Sequence, residues 1–286
     1  MTLSLMEFLS ETQAEPMIWD YVSASRLNLW MKCPLAFRRR YIDGEITPPT
    51  PSLFVGKCVH EVLDAIYRCA MVGAYMTPHD VPAFVEQAWE RIMEAEQCYF
   101  DDTDHETKCR NQVNDLVTAY ISEVSIAEEK PLLVERKFET GLYDPATGDD
   151  IGIPLVGVID LVLEGEYGPI IVDFKTAASA SHCDLQHELQ LTAYAYLVRA
   201  FYGYDESELQ VRQLVKTKSP KIVTHRFPPR SDEHFERFFN IVREYLEALD
   251  RGVFNYRPSW NCSMCEHSGF CTNNFSRKGE LCENYF

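Results

Sequence analysis

Two neighbouring stretches decide how this 286-residue chain is read: Leu155-Val156-Gly157-Val158-Ile159-Asp160-Leu161-Val162-Leu163 and Ile170-Ile171-Val172-Asp173-Phe174-Lys175. The first reads as a strand with an acid in its middle, the second as a buried strand that stops in charge. A carboxylate inside an apolar strand is costly to desolvate unless something compensates it. Mg2+ or Mn2+ is the natural compensator, because hard cations prefer carboxylate oxygens. Side chains alternate along a strand, so Lys175 points to the same side as Asp173. Two acids and an amine in that arrangement suit metal-assisted hydrolysis of a phosphodiester. Asp-x-Lys by itself equally describes an exposed, salt-bridged strand end. The rest of the chain has to supply the company.

Upstream, Gly56-Lys57-Cys58-Val59-His60 opens a helical stretch to about Met71, with Val59, Leu63, Ile66 and Tyr67 as its apolar stripe. Gly56 and His60 share a helix face, and the glycine lets another backbone or a substrate come close. His60 is then either a metal-binding imidazole or a buried histidine donating to a carbonyl. Downstream, Gln190 and Tyr194 also share a face, on a helix running to about Tyr202. Their amide and phenol suit phosphate contacts or an ordinary hydrogen bond on the helix surface.

In order, the chain offers Gly-x3-His, an acid within a strand, Asp-x-Lys ending the next strand, and Gln-x3-Tyr on a helix. This series resembles the PD-(D/E)XK nuclease superfamily, in particular its RecB-like branch. The resemblance implies that His60, Asp160 and Asp173 bind Mg2+ or Mn2+, with the Phe174 carbonyl as a further ligand. It also implies that Lys175 orients or activates the attacking water, and that Gln190 and Tyr194 complete the catalytic site.

Ten cysteines need a separate account. Met1–Met17 contains acids and lacks a basic start followed by an apolar core, so a reducing, cytoplasmic compartment is expected, where clustered thiols bind metals. Cys58, Cys69, Cys98, Cys109 and Cys183 are scattered and read as ordinary small residues. The cluster is Cys262-x2-Cys265-x5-Cys271. Its fourth partner is either Cys33, in the run Lys32-Cys33-Pro34, or Cys282. Cys282 would complete a local zinc knot, whereas Cys33 would staple distant segments around an iron–sulfur cluster. One upstream cysteine with a terminal C-x2-C-x5-C resembles the iron-staple nucleases of the AddB-like group. That group includes the CRISPR-associated spacer-acquisition nuclease and stand-alone single-strand DNA exonucleases. The resemblance implies a [4Fe-4S] cluster on Cys33, Cys262, Cys265 and Cys271.

No linker, repeat or low-complexity tract marks a boundary, and 46% hydrophobic residues support a sizeable core. One α/β domain over 1–286 is expected: a helical part at about 20–130, a core at about 131–230, and a helix with the cluster segment at about 231–286. Helices are predicted at Ala24–Tyr41, Leu53–Met71, Val81–Glu96, Thr107–Glu128, Leu185–Tyr202 and Glu233–Leu249. Strands are predicted at Leu132–Thr140, Pro154–Glu164, Ile170–Phe174, Leu209–Lys216 and Lys221–Arg226. The resemblance implies the restriction-endonuclease-like core, a mixed sheet flanked by helices.

No apolar run is long enough to span a membrane. A net charge of −17 argues against indiscriminate coating of nucleic acid. Local basic clusters remain at Lys32–Arg40 and at Arg212, Lys216, Lys218, Lys221 and Arg226. Trp30, Phe37 and Tyr41 are open to two readings, stacking on unpaired bases or packing in the core. The expected substrate is DNA, single-stranded or with free ends. The alternative is a non-catalytic end-binding or adaptor subunit of a helicase–nuclease or other DNA-processing complex. A zinc-containing regulator, with the Asp/Lys pattern coincidental, is a third reading. No G-x4-G-K-[ST] loop is present, so unwinding would fall to a helicase partner.

Overall fold

The computed structural model describes residues 19–180 and 187–271. At its centre is a five-stranded sheet in the order β1 (Pro131–Tyr143), β2 (Asp150–Gly165), β3 (Gly168–Ala177), β4 (Glu208–Val215) and β5 (Lys221–Phe227). All neighbours are antiparallel except β3 and β4, which are joined by the crossover helix α6 (Glu188–Tyr202). A parallel pair needs such a crossover, whereas β1 and β2 need only the turn built on Asp144, whose side chain accepts from the Ala146 N–H.

Helices cover both faces. On one side, α3 (Pro51–Met71), α4 (Val81–Glu96) and α5 (Thr103–Glu123) enclose a core that includes Val59, Leu63, Trp89, Leu116, Leu161, Val172 and Phe174. On the other, α1 (Ala24–Lys32), α6 and α7 (Asp232–Asp250) pack over Ile159, Ile171, Leu209 and Val211, together with Phe37 of α2 (Pro34–Tyr41). The expected mixed sheet between helical layers is what the chain forms.

Some element boundaries differ from expectation. Ala24–Tyr41 is two helices, because the residue before a proline is pushed out of the helical region: Cys33 is extended at φ −164° and ψ 108°. Helix α5 begins at Thr103, capped by Asp102, whose side chain accepts from the His105 N–H at 2.7 Å. The expected start of α6 at Leu185 lies outside the described residues, as do Met1–Met17, Cys183 and Cys282.

Strand β2 changes phase at Asp160. Ile153, Leu155 and Ile159 face α6 and α7, yet Leu161 and Leu163 face α3 and α5. Strand β1 changes in step: Val134 faces α3, while Phe138 and Leu142 face the other layer. The switch falls between the pairs Val134↔Leu161 and Arg136↔Ile159, where Glu135 takes the left-handed φ of 43°. A left-handed residue in a strand costs on the order of 1–2 kcal/mol and re-aims the side chains around it. Asp160 therefore sits where the hairpin turns over. The ladder between β2 and β3 ends at the pair Leu161↔Val172, so the two strands part at Asp160 and Asp173. Beyond that point, Val22 pairs with β2, giving its N–H to Pro154 and accepting from Val156, which covers the exposed edge.

Candidate active site

The parting of β2 and β3 creates the place where the predicted residues meet. Asp173 is 1% exposed in the middle of β3, where β2 leaves it, and Lys175 returns to it, Nζ lying 2.8 Å from Oδ1. Gln190 of α6 donates to the same Oδ1 at 3.0 Å and to the Tyr194 hydroxyl at 2.7 Å. Asp160 is held from the opposite side. Its Oδ2 accepts from the Phe174 N–H at 2.7 Å and lies 3.5 Å from His60 Nδ1. His60, Asp160, Asp173, Lys175, Gln190 and Tyr194 thus come from four elements to one cleft.

Two glycines allow the approach. A Cβ on Gly157 would lie 2.7 Å from Leu197 Cδ1 and 3.6 Å from the Tyr194 ring, so its absence lets α6 settle on β2. A Cβ on Gly56 would meet Thr176 Oγ1 at 3.0 Å. The close approach at Gly56 is thus made by β3, which brings α3 and His60 against that strand.

The electrostatics divide the two acids. Burial pushes the Asp173 carboxyl up to about 6; Lys175 opposes the rise and Asp160 adds to it. Asp160 is lowered despite burial, because His60, Lys175 and the Phe174 N–H favour its anion. Burial works against protonation of His60, but Asp160 outweighs it and raises the imidazole. Asp173 Oδ2 is buried and accepts no well-directed hydrogen bond, although Lys175 Nζ stands 2.8 Å away. A buried carboxylate oxygen with an open lone pair, beside a second acid and an imidazole, fits the donor set of Mg2+ or Mn2+. Among the described residues, no three His, Cys, Asp or Glu groups, the clustered cysteines included, stand at metal-holding distances; the acids of the cleft lie against Lys175 and His60.

One neighbour escapes sequence reasoning. Glu135 borders Asp160 across the β1–β2 pair; the residue keeps an exposed surface, yet partial desolvation and the Asp160 charge raise its carboxyl. Its surface-like setting in Val134-Glu135-Arg136-Lys137 gives no signal, and only the left-handed backbone marks it out. At Phe174 the sequence points to the carbonyl, yet the ring matters too: it lies edge-on to His60, with centroids 6.1 Å apart.

The cysteines gather elsewhere. Cys33, Cys262, Cys265 and Cys271 line one cavity of about 1320 Å3. Cys271 is raised by burial and then by the other three sulfurs. Cys33 opens helix α2, and the Ser259 N–H points at Cys262 Sγ at 3.3 Å. The same two segments are joined by ordinary contacts: Arg40 to Glu266 at 3.1 Å, Thr47 to Glu266 at 2.8 Å, and the Arg39 guanidinium 3.3 Å above the Phe270 ring.

The second basic cluster loses Arg212, while Lys218, Lys221 and Arg226 stay exposed. Arg212 is buried in the α3–α5 layer, and Lys216 bonds to Ser52 Oγ at 2.8 Å. In the first cluster, Arg39 and Arg40 are engaged by Glu45 and Glu266. Trp30 and Phe37 are core residues, packed edge-on against Tyr245. Stacking on bases is not their part.

A family model described as the PD-(D/E)XK nuclease superfamily matches residues 21–272. The chain belongs to the PD-(D/E)XK nuclease superfamily. The matched range takes in Cys33 and Cys271 as well as the residues of the cleft. A crystal structure from Eubacterium rectale, described only provisionally as an exonuclease, aligns at TM-score 0.62 with 13% identity over 98% of this chain and 96% of that one. At that identity it shows a shared fold for this superfamily member. A second solved structure, SSO0001, aligns at TM-score 0.42 with 13% identity over 93% of this chain and 91% of that one, too loosely to build on. No curated protein matches the sequence. No helix among the described residues is long and apolar enough to cross a membrane.

Proposed function

We propose that this superfamily member is a metal-dependent deoxyribonuclease of the RecB-like, AddB-like branch, an exonuclease acting on single-stranded DNA or DNA ends. One observation carries the reading: Asp173 is buried, with Lys175 Nζ 2.8 Å from both its oxygens, Gln190 on Oδ1 and an Oδ2 that accepts no well-directed hydrogen bond, beside Asp160 and His60. His60, Asp160, Asp173 and the Phe174 carbonyl would hold Mg2+ or Mn2+, which supplies Lewis-acid stabilisation of the phosphate charge. Lys175, drawn close by Asp173, orients the attacking water and offsets charge that develops on the phosphate. Gln190 fixes the Asp173 carboxylate and is itself fixed by Tyr194. Burial raises the Tyr194 hydroxyl well above its ordinary range, so it stays neutral.

The whole chain acts as one nuclease domain in this reading, its cysteine segment carrying a [4Fe-4S] cluster on Cys33, Cys262, Cys265 and Cys271. Their shared cavity supports that set, and a helicase or other DNA-processing partner would supply unwinding. Purified protein that is brown and absorbs broadly in the visible supports iron; a colourless protein with stoichiometric zinc overturns it. The function is tested with labelled linear and circular oligonucleotides, single- and double-stranded, in Mg2+, Mn2+ or EDTA. Metal-dependent loss of linear single strands, with circles spared, is expected. Binding without cleavage would mark an adaptor instead.

A further inference from the structure

Beneath the cleft lies a buried polar cluster that the proposed chemistry does not use. Arg212 on β4 is 4% exposed. Its Nη1 donates to the Tyr67 hydroxyl at 2.9 Å and the Tyr120 hydroxyl at 2.7 Å, and its Nη2 to Glu129 Oε1 at 2.7 Å and Gln210 Oε1 at 2.9 Å. The Tyr67 hydroxyl donates to Glu129 Oε2 at 2.6 Å, which leaves Tyr120 as the donor in the 2.6 Å contact between the two hydroxyls. Nη1 also lies 3.2 Å from Glu129 Oε2, and Nε donates to Gln210 Oε1 at 2.9 Å.

An apolar cluster would make an equally stable core. Buried ion pairs lose so much solvation that well-packed apolar replacements are often neutral or stabilising. What apolar replacements lack is orientation. The orientation here is passed to Phe174, whose ring stacks on Tyr67 at 6.0 Å and 27° and meets Tyr120 edge-on at 5.7 Å and 87°. On its remaining edge it meets His60. The same residue gives its N–H to Asp160 and stands between Asp173 and Lys175. Tyr67 lies seven residues beyond His60, two turns along the same face of α3. Pinning its hydroxyl therefore fixes how far α3 slides and rotates against β3.

We infer that Arg212, Glu129, Tyr67 and Tyr120 form a positioning network for the catalytic centre, acting through the Phe174 ring and helix α3 to hold His60 and Asp160 at their common point. The inference rests on the nuclease reading for its role in cleavage, and on the geometry above for its role in metal affinity. The test compares wild type with the double variant Arg212→Met/Glu129→Gln, and separately with Phe174→Leu, which preserves apolar burial and the backbone carbonyl. Three quantities are read: thermal unfolding, kcat and KM on a linear single-stranded oligonucleotide with Mn2+, and binding of Mn2+ alone by electron paramagnetic resonance.

Both variants are expected to unfold cooperatively, with Tm within about 5 °C of wild type, KM within about twofold, kcat down about tenfold or more, and Mn2+ affinity weakened about fivefold or more. Folded variants with wild-type kcat and Mn2+ affinity overturn the inference. Should the double variant fail to fold, Phe174→Leu decides the matter alone. A wild-type protein that binds Mn2+ but cleaves nothing overturns the nuclease reading instead, and the network then stands or falls on Mn2+ affinity.

Discussion

The candidate active-site cleft and the cysteine cavity are built on opposite plans. In the cleft every reactive group is held by another protein group: Asp160 by a backbone N–H, Asp173 by Lys175 and Gln190, Gln190 by Tyr194. Below it, the Arg212 cluster fixes the floor. At the cavity the sulfurs face a hollow, and the segments bearing them meet through partly exposed contacts such as Arg40–Glu266, which on their own contribute little. The difference separates two jobs. The cleft is preorganised by the fold, whereas the segments around the cavity are joined by few and partly exposed contacts.

That contrast predicts two kinds of failure. Asp173→Asn and Lys175→Met should each lower the cleavage rate by about a thousandfold or more, while urea midpoints move little. Replacing Asp173 removes a buried carboxyl raised to about 6, so its loss does not cost a favourable charge. A variant that cleaves normally in Mn2+ sinks the assignment of the cleft. Cys262→Ser should act in reverse: a loss of about 3 kcal/mol or more in stability, with residual folded protein still cleaving. Denaturant curves run alongside turnover separate the two. If Cys262→Ser leaves stability unchanged, the cavity is not a staple.

How much of this contrast is legible without the fold follows from where the information sits. Asp173, Lys175, His60, Gln190 and Tyr194 are readable because each stands at a spacing that fixes its face, such as Asp-x-Lys on a strand or Gln-x3-Tyr on a helix, and Asp160 because it is an acid within an apolar run. The sheet is readable because Ile170-Ile171-Val172 is too apolar for anything but a buried strand. Arg212 reads as surface because a buried arginine is recognised only by its partners, and Tyr67, Tyr120 and Glu129 arrive from separate elements. The phase change at Glu135 and Asp160 leaves no mark either, since neither glycine nor proline announces it.

A smaller effect probes how the cleft is held. Tyr194→Phe removes the hydroxyl that accepts from Gln190, but leaves Gln190 on Asp173 and the ring beside Gly157. A loss of one neutral hydrogen bond, about 1 kcal/mol, should appear as a reduction in kcat of roughly fivefold, with KM unchanged. Gln190→Ala strips Asp173 of a donor and should cost more. If the order is reversed, Tyr194 acts on the substrate rather than through Gln190.

The smallest predicted change in stability is the most discriminating, because stability and activity should move apart. Glu135 holds a φ of 43°, a conformation that glycine adopts freely and other residues adopt only under strain. Glu135→Gly should therefore leave Tm unchanged or raise it, since relief of backbone strain offsets the added freedom of the unfolded chain. If the strain persists because the kink presents a carboxylate beside Asp160, the same variant should cleave about threefold to tenfold more slowly. Glu135→Gln controls for backbone by keeping the left-handed strain while removing the charge. Its activity should fall as far as that of Glu135→Gly, with no gain in Tm. Should Gln preserve full activity, the kink serves to turn the hairpin over at Asp160, and the carboxylate itself is incidental.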